Sequence, residues 1–261
     1  MIGRGSRYRP GRSLVTGASS GIGAEFARAL AARGSDLVLV ARREDRLTAL
    51  AKELEQEHGI RCRTVAWDLS EEASGRRLRE IVPEQIDLVV NNAGFAVQGT
   101  FADGDADDFE RLIAVDIRAV VDICSAFLPD MIDRRDGTIV NVASTTAFQP
   151  VPSLAVYAAA KAFVLSFSQS LWYESTQNGV RVFALNPGPT RTEFFDVIGD
   201  SAAATGTYQT PNEVVATALR ALDAKRSRPQ VISGRRNTVQ AIAAGLVPAR
   251  VLLPALARML H

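Results

Sequence analysis

The sequence predicts an α/β protein: a doubly wound parallel sheet in a single domain spanning residues 1–261. Three observations lead there. Short apolar runs recur seven times along the 261 residues, longer amphipathic stretches separate them, and no linker, repeat or low-complexity tract breaks the middle of the chain. The runs are Ser13–Thr16, Leu37–Ala41, Thr64–Trp67, Leu88–Val90, Thr138–Val142, Val180–Leu185 and Gln230–Ile232. Most are rich in β-branched residues and apolar without alternation, as strands are when both sheet faces are covered. Between them lie stretches of helical length, among them Ala24–Arg33, Arg46–Glu57, Asp107–Leu128 and Ser153–Ser175. Strand and helix alternating this often is the pattern of a doubly wound sheet.

Composition excludes several function classes. Lys and Arg total 30 against 29 Asp and Glu, a net charge of +1, which argues against a nucleic-acid binder. The chain is 47% hydrophobic, too apolar for disorder. Its two cysteines, Cys62 and Cys124, stand in no metal or redox spacing; a single bridge is conceivable, but a disulfide framework is not. Neither His58 nor His261 has metal-ligand spacing, so no metal site is expected. The basic start MIGRGSRYRPGR lacks a following apolar h-region, and residues 1–11 are expected to form a flexible tail. No apolar run reaches the ~20 residues of a membrane span. The expectation is a soluble, cytoplasmic protein without a membrane partner.

The first predicted strand runs into SLVTGASSGIG, Ser13–Gly23. Gly17, Gly21 and Gly23, with Ser19, Ser20 and Ile22 between them, let the backbone turn tightly and approach a pyrophosphate at a helix N-terminus. The spacing is G-x3-G-x-G, so the general G-x-G-x-x-G fingerprint is not matched literally. With a strand before and a helix after, it reads as the dinucleotide loop of a Rossmann-type sheet.

The second strand ends in Ala41, Arg42 and Arg43, where an acidic residue would accept hydrogen bonds from a ribose 2′-OH. An arginine fork suits a 2′-phosphate. Arg42 is assigned to that phosphate; Arg43 divides evenly between the same role and simple solvation of the next helix. NADP(H) is expected over NAD(H).

Tyr157 and Lys161 are four apart in a helical stretch and share a face. A tyrosine has an ordinary pKa of about 10, and a neighbouring ammonium favours its phenolate. Ser144 follows the strand Thr138–Val142, at the sheet edge where such folds bind ligands.

At this point the chain resembles the single-domain short-chain dehydrogenases/reductases, over nearly its whole length. The resemblance is carried by TGASSGIG (Thr16–Gly23), DL (Asp68–Leu69), NNAG (Asn91–Gly94), Ser144, YAAAK (Tyr157–Lys161) and PGPTRT (Pro187–Thr192), in that order, with a 13-residue step from Ser144 to Tyr157. It implies that Tyr157 exchanges a proton with the substrate oxygen, that Ser144 hydrogen-bonds that oxygen, and that Lys161 grips the nicotinamide ribose and lowers the Tyr157 pKa. It also implies that Asp68, beside Leu69, binds the adenine amino group and that Asn92, Ala93 and Gly94 line the adenosine side. Thr192, with Pro187 and Thr190, would orient the carboxamide. The cofactor carries the hydride chemistry.

One position departs from the family. Where it usually has an asparagine, this chain has Asp116, within LIAVDIRAVV. An ionised carboxylate near Lys161 would offset part of the ammonium's influence and raise the Tyr157 pKa. Neutral drift at a tolerant position is the competing account.

The segments flanking these motifs supply Phe95, Val97, Phe148, Val151, Phe194, Phe195 and Ile198, an apolar pocket for a hydrophobic ketone, 3-oxoacyl or steroid-like carbonyl or the matching alcohol. Core packing explains some of them equally well. Arg191 is expected in a structural salt bridge. Residues 193–212, which include the small and polar Gly199–Thr210, are expected to form a substrate lid. The helical stretches Phe109–Leu128 and Leu154–Trp172 are apolar over much of their circumference, which favours a homodimer or homotetramer; burial under the chain's own C-terminus competes. Residues 237–261 are expected to dock on a neighbouring subunit. A non-catalytic dinucleotide sensor is the rival function. An extended-branch epimerase or dehydratase is disfavoured by the short chain.

Overall fold

The computed structural model describes residues 7–194 and 208–260. Seven strands form one parallel sheet: β1 (Arg12–Thr16), β2 (Asp36–Ala41), β3 (Cys62–Ala66), β4 (Leu88–Asn91), β5 (Gly137–Val142), β6 (Val180–Asn186) and β7 (Gln230–Ile232). Their spatial order is β3-β2-β1-β4-β5-β6-β7. The order reverses between β1 and β4, which pair in the register Val15↔Val90. Ligands bind at such a switch point, beyond the carboxyl ends of the strands.

Both sheet faces are covered, and this explains the apolar runs. On β1, Leu14 packs to one side and Val15 to the other, each fully buried. The Val15 side is roofed by α1 (Gly21–Ala31), α2 (Glu44–His58) and α7 (Pro211–Asp223). Phe26 and Leu30 of α1 are fully buried there, each contributing about 2 kcal/mol. The Leu14 side is roofed by α3 (Ser74–Ile81), α5 (Ala119–Asp133) and α6 (Ala155–Thr176). α7 begins with a capping box, Thr210 and Glu213 satisfying each other's backbone N–H, and Pro211 opens its first turn.

The long helix expected over Asp107–Leu128 is not continuous. It is α4 (Ala106–Ile113), one π-helical turn at Ala114–Arg118, and then α5. The wider turn carries Asp116, which is fully buried, and such turns gather at functional sites.

Two further expectations need correction. The tail is not loose over residues 7–11: Tyr8 N–H donates to Asp223 at 2.8 Å, and Arg33 reaches both the Tyr8 carbonyl and Asp223. Residues 1–6 lie outside the described residues. β3 starts two residues earlier than its apolar pattern suggests, because it is an edge strand and half exposed. The C-terminal piece forms α8 (Arg235–Leu246) and α9 (Ala249–Leu260), and both helices run along this chain's own cleft. Val239 and Ile242 of α8, Val247 just after it and Val251 of α9 are nonetheless exposed, as are Ile113 of α4 and Phe163 and Tyr173 of α6. Among the described residues, no helix is long and apolar enough to cross a membrane.

Candidate active site

A cleft of about 1030 Å³ opens along the carboxyl ends of the strands. Of the residues expected at a site, Gly17, Ser19, Ser20, Gly21, Ile22, Arg42, Arg43, Asp68, Leu69, Asn92, Ala93, Gly94, Ser144, Tyr157, Lys161, Pro187, Thr190 and Thr192 all line it. Gly23 and Asp116 do not line it. Gly23 packs against the loop from behind, where an added Cβ would lie 2.3 Å from the Gly17 carbonyl. Asp116 lies behind the lining and meets it at Lys161 and at the Phe95 N–H.

The glycine loop forms one end. Gly17 has a φ of +66°, and a Cβ there would meet Asn92 Nδ2 at 2.8 Å. Thr16 Oγ1 accepts the N–H groups of Asn92 and Ala93, each at 3.0 Å, and Asn92 Nδ2 donates to the Thr16 carbonyl at 3.0 Å. The loops after β1 and β4 are thus fastened to each other. α1 starts with no side-chain cap and no acidic residue in its first turn, a ready anion site. Arg43 donates to Ser19 Oγ at 3.0 Å and to Ser20 Oγ at 2.9 Å. Arg42 is the more exposed of the two arginines and turns its charge toward Asp68. Burial works against the Asp68 charge, yet the Ser70 hydrogen bonds and the Arg42 and Arg111 charges hold its carboxyl below the usual range.

The other end gathers Ser144, Tyr157 and Lys161. Ser144 caps the 3-10 turn Thr145–Phe148, its Oγ accepting Thr146 N–H at 3.1 Å. Tyr157 and Lys161 lie on the buried face of α6, with Ala158, Val164 and Leu165. Lys161 Nζ donates to the Val142 carbonyl at 3.3 Å and lies 2.9 Å from Asp116 Oδ2. Asp116 Oδ1 accepts Phe95 N–H at 3.0 Å. Gly94 sits directly over this pair, where a Cβ would come within 2.8 Å of Asp116 Oδ2. A buried polar chain that the sequence did not announce anchors α6 from behind: Asn91 Nδ2 donates to Asn141 Oδ1 at 2.8 Å, and Asn141 Nδ2 to Ser168 Oγ at 2.9 Å.

The electrostatics follow from burial and this ion pair. Burial pushes the Tyr157 hydroxyl above its ordinary pKa; Lys161 pulls it down, Asp116 pushes it back up, and the Ser144 hydroxyl favours the phenolate. Burial works to discharge Lys161, but Asp116 and Tyr157 outweigh it and its pKa ends above the usual value. Burial likewise raises the Asp116 carboxyl against the pull of Lys161 and the Phe95 N–H.

Of the expected apolar residues, Phe95, Val151 and Phe194 line the cleft. Val97 packs beside it and Phe148 turns into the core on the Leu14 side. Phe195 and Ile198 lie outside the described residues, as does 195–207 of the expected lid. The ends of that segment are held: Phe194 leans on the Tyr157 ring at 5.5 Å, and Gln209 bridges Thr190. Arg191, expected in an ion pair, makes none among the described residues; its guanidinium lies 6.0 Å over the Tyr208 ring. Sequence reasoning missed Leu154, Arg111 and the contribution of α8 and α9, which bring Arg236, Asn237, Gln240, Val247, Leu252 and Leu256 to the cleft. The amphipathic pattern of α9 was the available signal.

Residues 12–202 match a family model described as short chain dehydrogenase. The chain is similar to sulfoacetaldehyde reductase 2 of Chromohalobacter salexigens, 38% identical over 203 residues that cover 75% of this chain and 80% of that protein. Among solved structures it resembles a short-chain dehydrogenase from Sphingobium yanoikuyae in complex with NADPH, with TM-score 0.78 and 36% identity over 90% of this chain and 94% of that one. It also resembles the bulky-bulky ketone specific alcohol dehydrogenase from Comamonas testosteroni, with TM-score 0.76 and 31% identity, covering 92% of this chain and 94% of that one.

Proposed function

The chain belongs to the short-chain dehydrogenase/reductase family of oxidoreductases, and from that premise we propose that it interconverts a hydrophobic ketone and its secondary alcohol with NADP(H). The observation that carries this reading is one cleft with the uncapped α1 N-terminus and Arg43 at one end and Ser144, Tyr157 and Lys161 at the other. The residues fit the cofactor. Gly17 and Gly21, both at positive φ, let the loop turn against Asn92 and Thr192 where a Cβ would clash, and the arginine fork beside Ser19 and Ser20 suits a phosphate better than a hydroxyl. Gly17, Ser19, Ser20, Gly21 and Ile22 would hold the pyrophosphate, and Arg43, in place of the Arg42 expected from the sequence, the 2′-phosphate, since it is Arg43 that reaches Ser19 and Ser20 while the Arg42 charge acts on Asp68. Asp68 and Leu69 would hold the adenine, and Asn92, Ala93 and Gly94 the adenosine side. Lys161 would hold the nicotinamide ribose, and Pro187, Thr190 and Thr192 the carboxamide. When bound, NADP(H) supplies or takes the hydride.

The protein's own chemistry is the proton and its positioning. Tyr157 gives its phenolic proton to the carbonyl oxygen in reduction and takes it back in oxidation. Ser144 donates to the same oxygen. Lys161, with its Val142 and Asp116 contacts, holds a fixed positive charge behind the phenol. Asp116 acts through Lys161 as a positioning residue. Its charge raises the Tyr157 pKa, so removing that charge lowers it. Asp116→Asn keeps an acceptor for Phe95 N–H, and the rising limb of its oxidation pH–rate profile is expected at lower pH than in wild type. Superimposable profiles would remove Asp116 from the account.

Apolar substrate is supported by Phe95, Val151, Leu154, Val247, Leu252 and Leu256 along the cleft, and by the likeness to a bulky-ketone enzyme. Arg111 and Arg236, which also line the cleft, favour a second reading, an anionic carbonyl. Kinetics on a homologous ketone series separates them. Each buried methylene is expected to raise kcat/KM about threefold to fourfold. A flat series, with preference for short carboxylated or sulfonated aldehydes, would favour the second reading.

A further inference from the structure

Glu193 comes directly after Thr192, at the edge of the same cleft. One carboxylate oxygen accepts from Arg43 Nη1 at 2.8 Å and the other from Arg46. Arg43 is the side chain that donates to Ser19 and Ser20. A single guanidinium therefore joins the glycine loop, the start of α2 and the segment after Thr192. The next residue, Phe194, rests against the Tyr157 ring and packs on the small cluster of Ala96, Leu112 and Leu154. Two adjacent residues thus touch the arginine assigned to the 2′-phosphate and the tyrosine assigned to the proton.

We propose that Glu193 is a cofactor-specificity residue, which acts by competing with the 2′-phosphate of NADP(H) for Arg43. This rests on the reading of Arg43 as the phosphate ligand. A carboxylate and a phosphate both satisfy the guanidinium fork, and the same N–H cannot serve both. Ser19 and Ser20 already occupy Nε and Nη2, so a phosphate that grips the fork with two oxygens competes with Glu193 for Nη1, and its charge repels the carboxylate as well. NADH carries no phosphate there and breaks nothing. Glu193 therefore weakens NADPH binding without touching NADH, and narrows the preference that Arg43 provides. The hydrogen bonds from Arg46 and Arg43 hold the Glu193 carboxyl down to about 2, so it stays charged at working pH. Arg46 keeps a partner for it after Arg43 is taken. Since Arg43 and Glu193 are about half exposed, with side chains 40% and 47% accessible, the competition is modest.

The test is the dissociation constant of NADPH and of NADH, read by fluorescence titration without substrate, for wild type, Glu193→Gln, Arg43→Ala and the double variant. Glu193→Gln is expected to tighten NADPH about threefold to tenfold and leave NADH unchanged. Arg43→Ala is expected to weaken NADPH at least tenfold, and in that background Glu193→Gln should have no effect on NADPH. If Arg43→Ala weakens NADPH while Glu193→Gln leaves it unchanged, weakens it, or tightens both cofactors equally, the competition is wrong and the Arg43 assignment stands. If Arg43→Ala leaves the NADPH preference intact, the assignment fails and the proposal fails with it.

Discussion

Replacing Tyr157 by phenylalanine is expected to lower kcat by about a thousandfold while the NADPH dissociation constant stays where it was. The substitution removes one oxygen. The ring remains in its cluster with Ala96, Leu112, Val151 and Leu154, and against Phe194 at 5.5 Å, so the fold has no reason to change. What disappears is the proton donor at the cleft end. Ser144 can still hydrogen-bond the carbonyl, but its hydroxyl is a far weaker acid than a phenol beside an ammonium. Steady-state kinetics on the favoured ketone, with a thermal melt as control, checks this. Activity within tenfold of wild type would mean that another group moves the proton.

Lys161→Met is expected to abolish turnover and also to destabilise the protein by about 3 kcal/mol at neutral pH. Lys161 and Asp116 are both buried and 2.9 Å apart. Removing the ammonium strands a carboxylate that keeps the Phe95 N–H as a partner. That carboxyl then titrates well above its unfolded value. The folded state holds a proton that the unfolded state gives up, so stability falls as pH rises, and the deficit narrows on acidification toward the unfolded pKa of about 4. The double variant Asp116→Asn/Lys161→Met should regain most of the stability and none of the activity. Chemical denaturation of the four proteins at two pH values reads both effects. If the double variant is no more stable than Lys161→Met, the loss is packing and not a stranded charge.

The five central strands were legible because each is short and apolar on both faces; both β1 faces, for instance, end in the core at Leu14 and Val15. The β3 boundary slipped because an edge strand carries exposed polar residues such as Arg63, which the apolar pattern discards together with Cys62 before it. α3, with the sequence SGRRLREI, has mostly charged residues and buries only Leu78 among its large apolar side chains, too little periodicity for a helix to stand out. α7 was announced by Thr210 and Glu213, a capping-box spacing that the reading of a lid through residue 212 obscured. The site residues were legible because a glycine loop and a Tyr-x-x-x-Lys pair are local patterns. The π-helical turn at Asp116 was not, since the residues Ala114–Arg118 have ordinary helical preferences and it is their packing that sets the turn. Arg43 and Glu193 lie 150 residues apart, and only the folded chain brings them together.

The central claim is hydride transfer between NADPH and a carbonyl in this cleft. A single-turnover experiment addresses it most directly: purified protein loaded with NADPH, mixed with a bulky apolar ketone, and followed by reduced-nicotinamide absorbance and by product analysis. The account expects the absorbance to fall with one alcohol formed per NADPH consumed, and no fall in Tyr157→Phe. Tight NADPH binding with no oxidation across ketones, aldehydes and, in reverse, alcohols would contradict it and leave a dinucleotide-binding sensor.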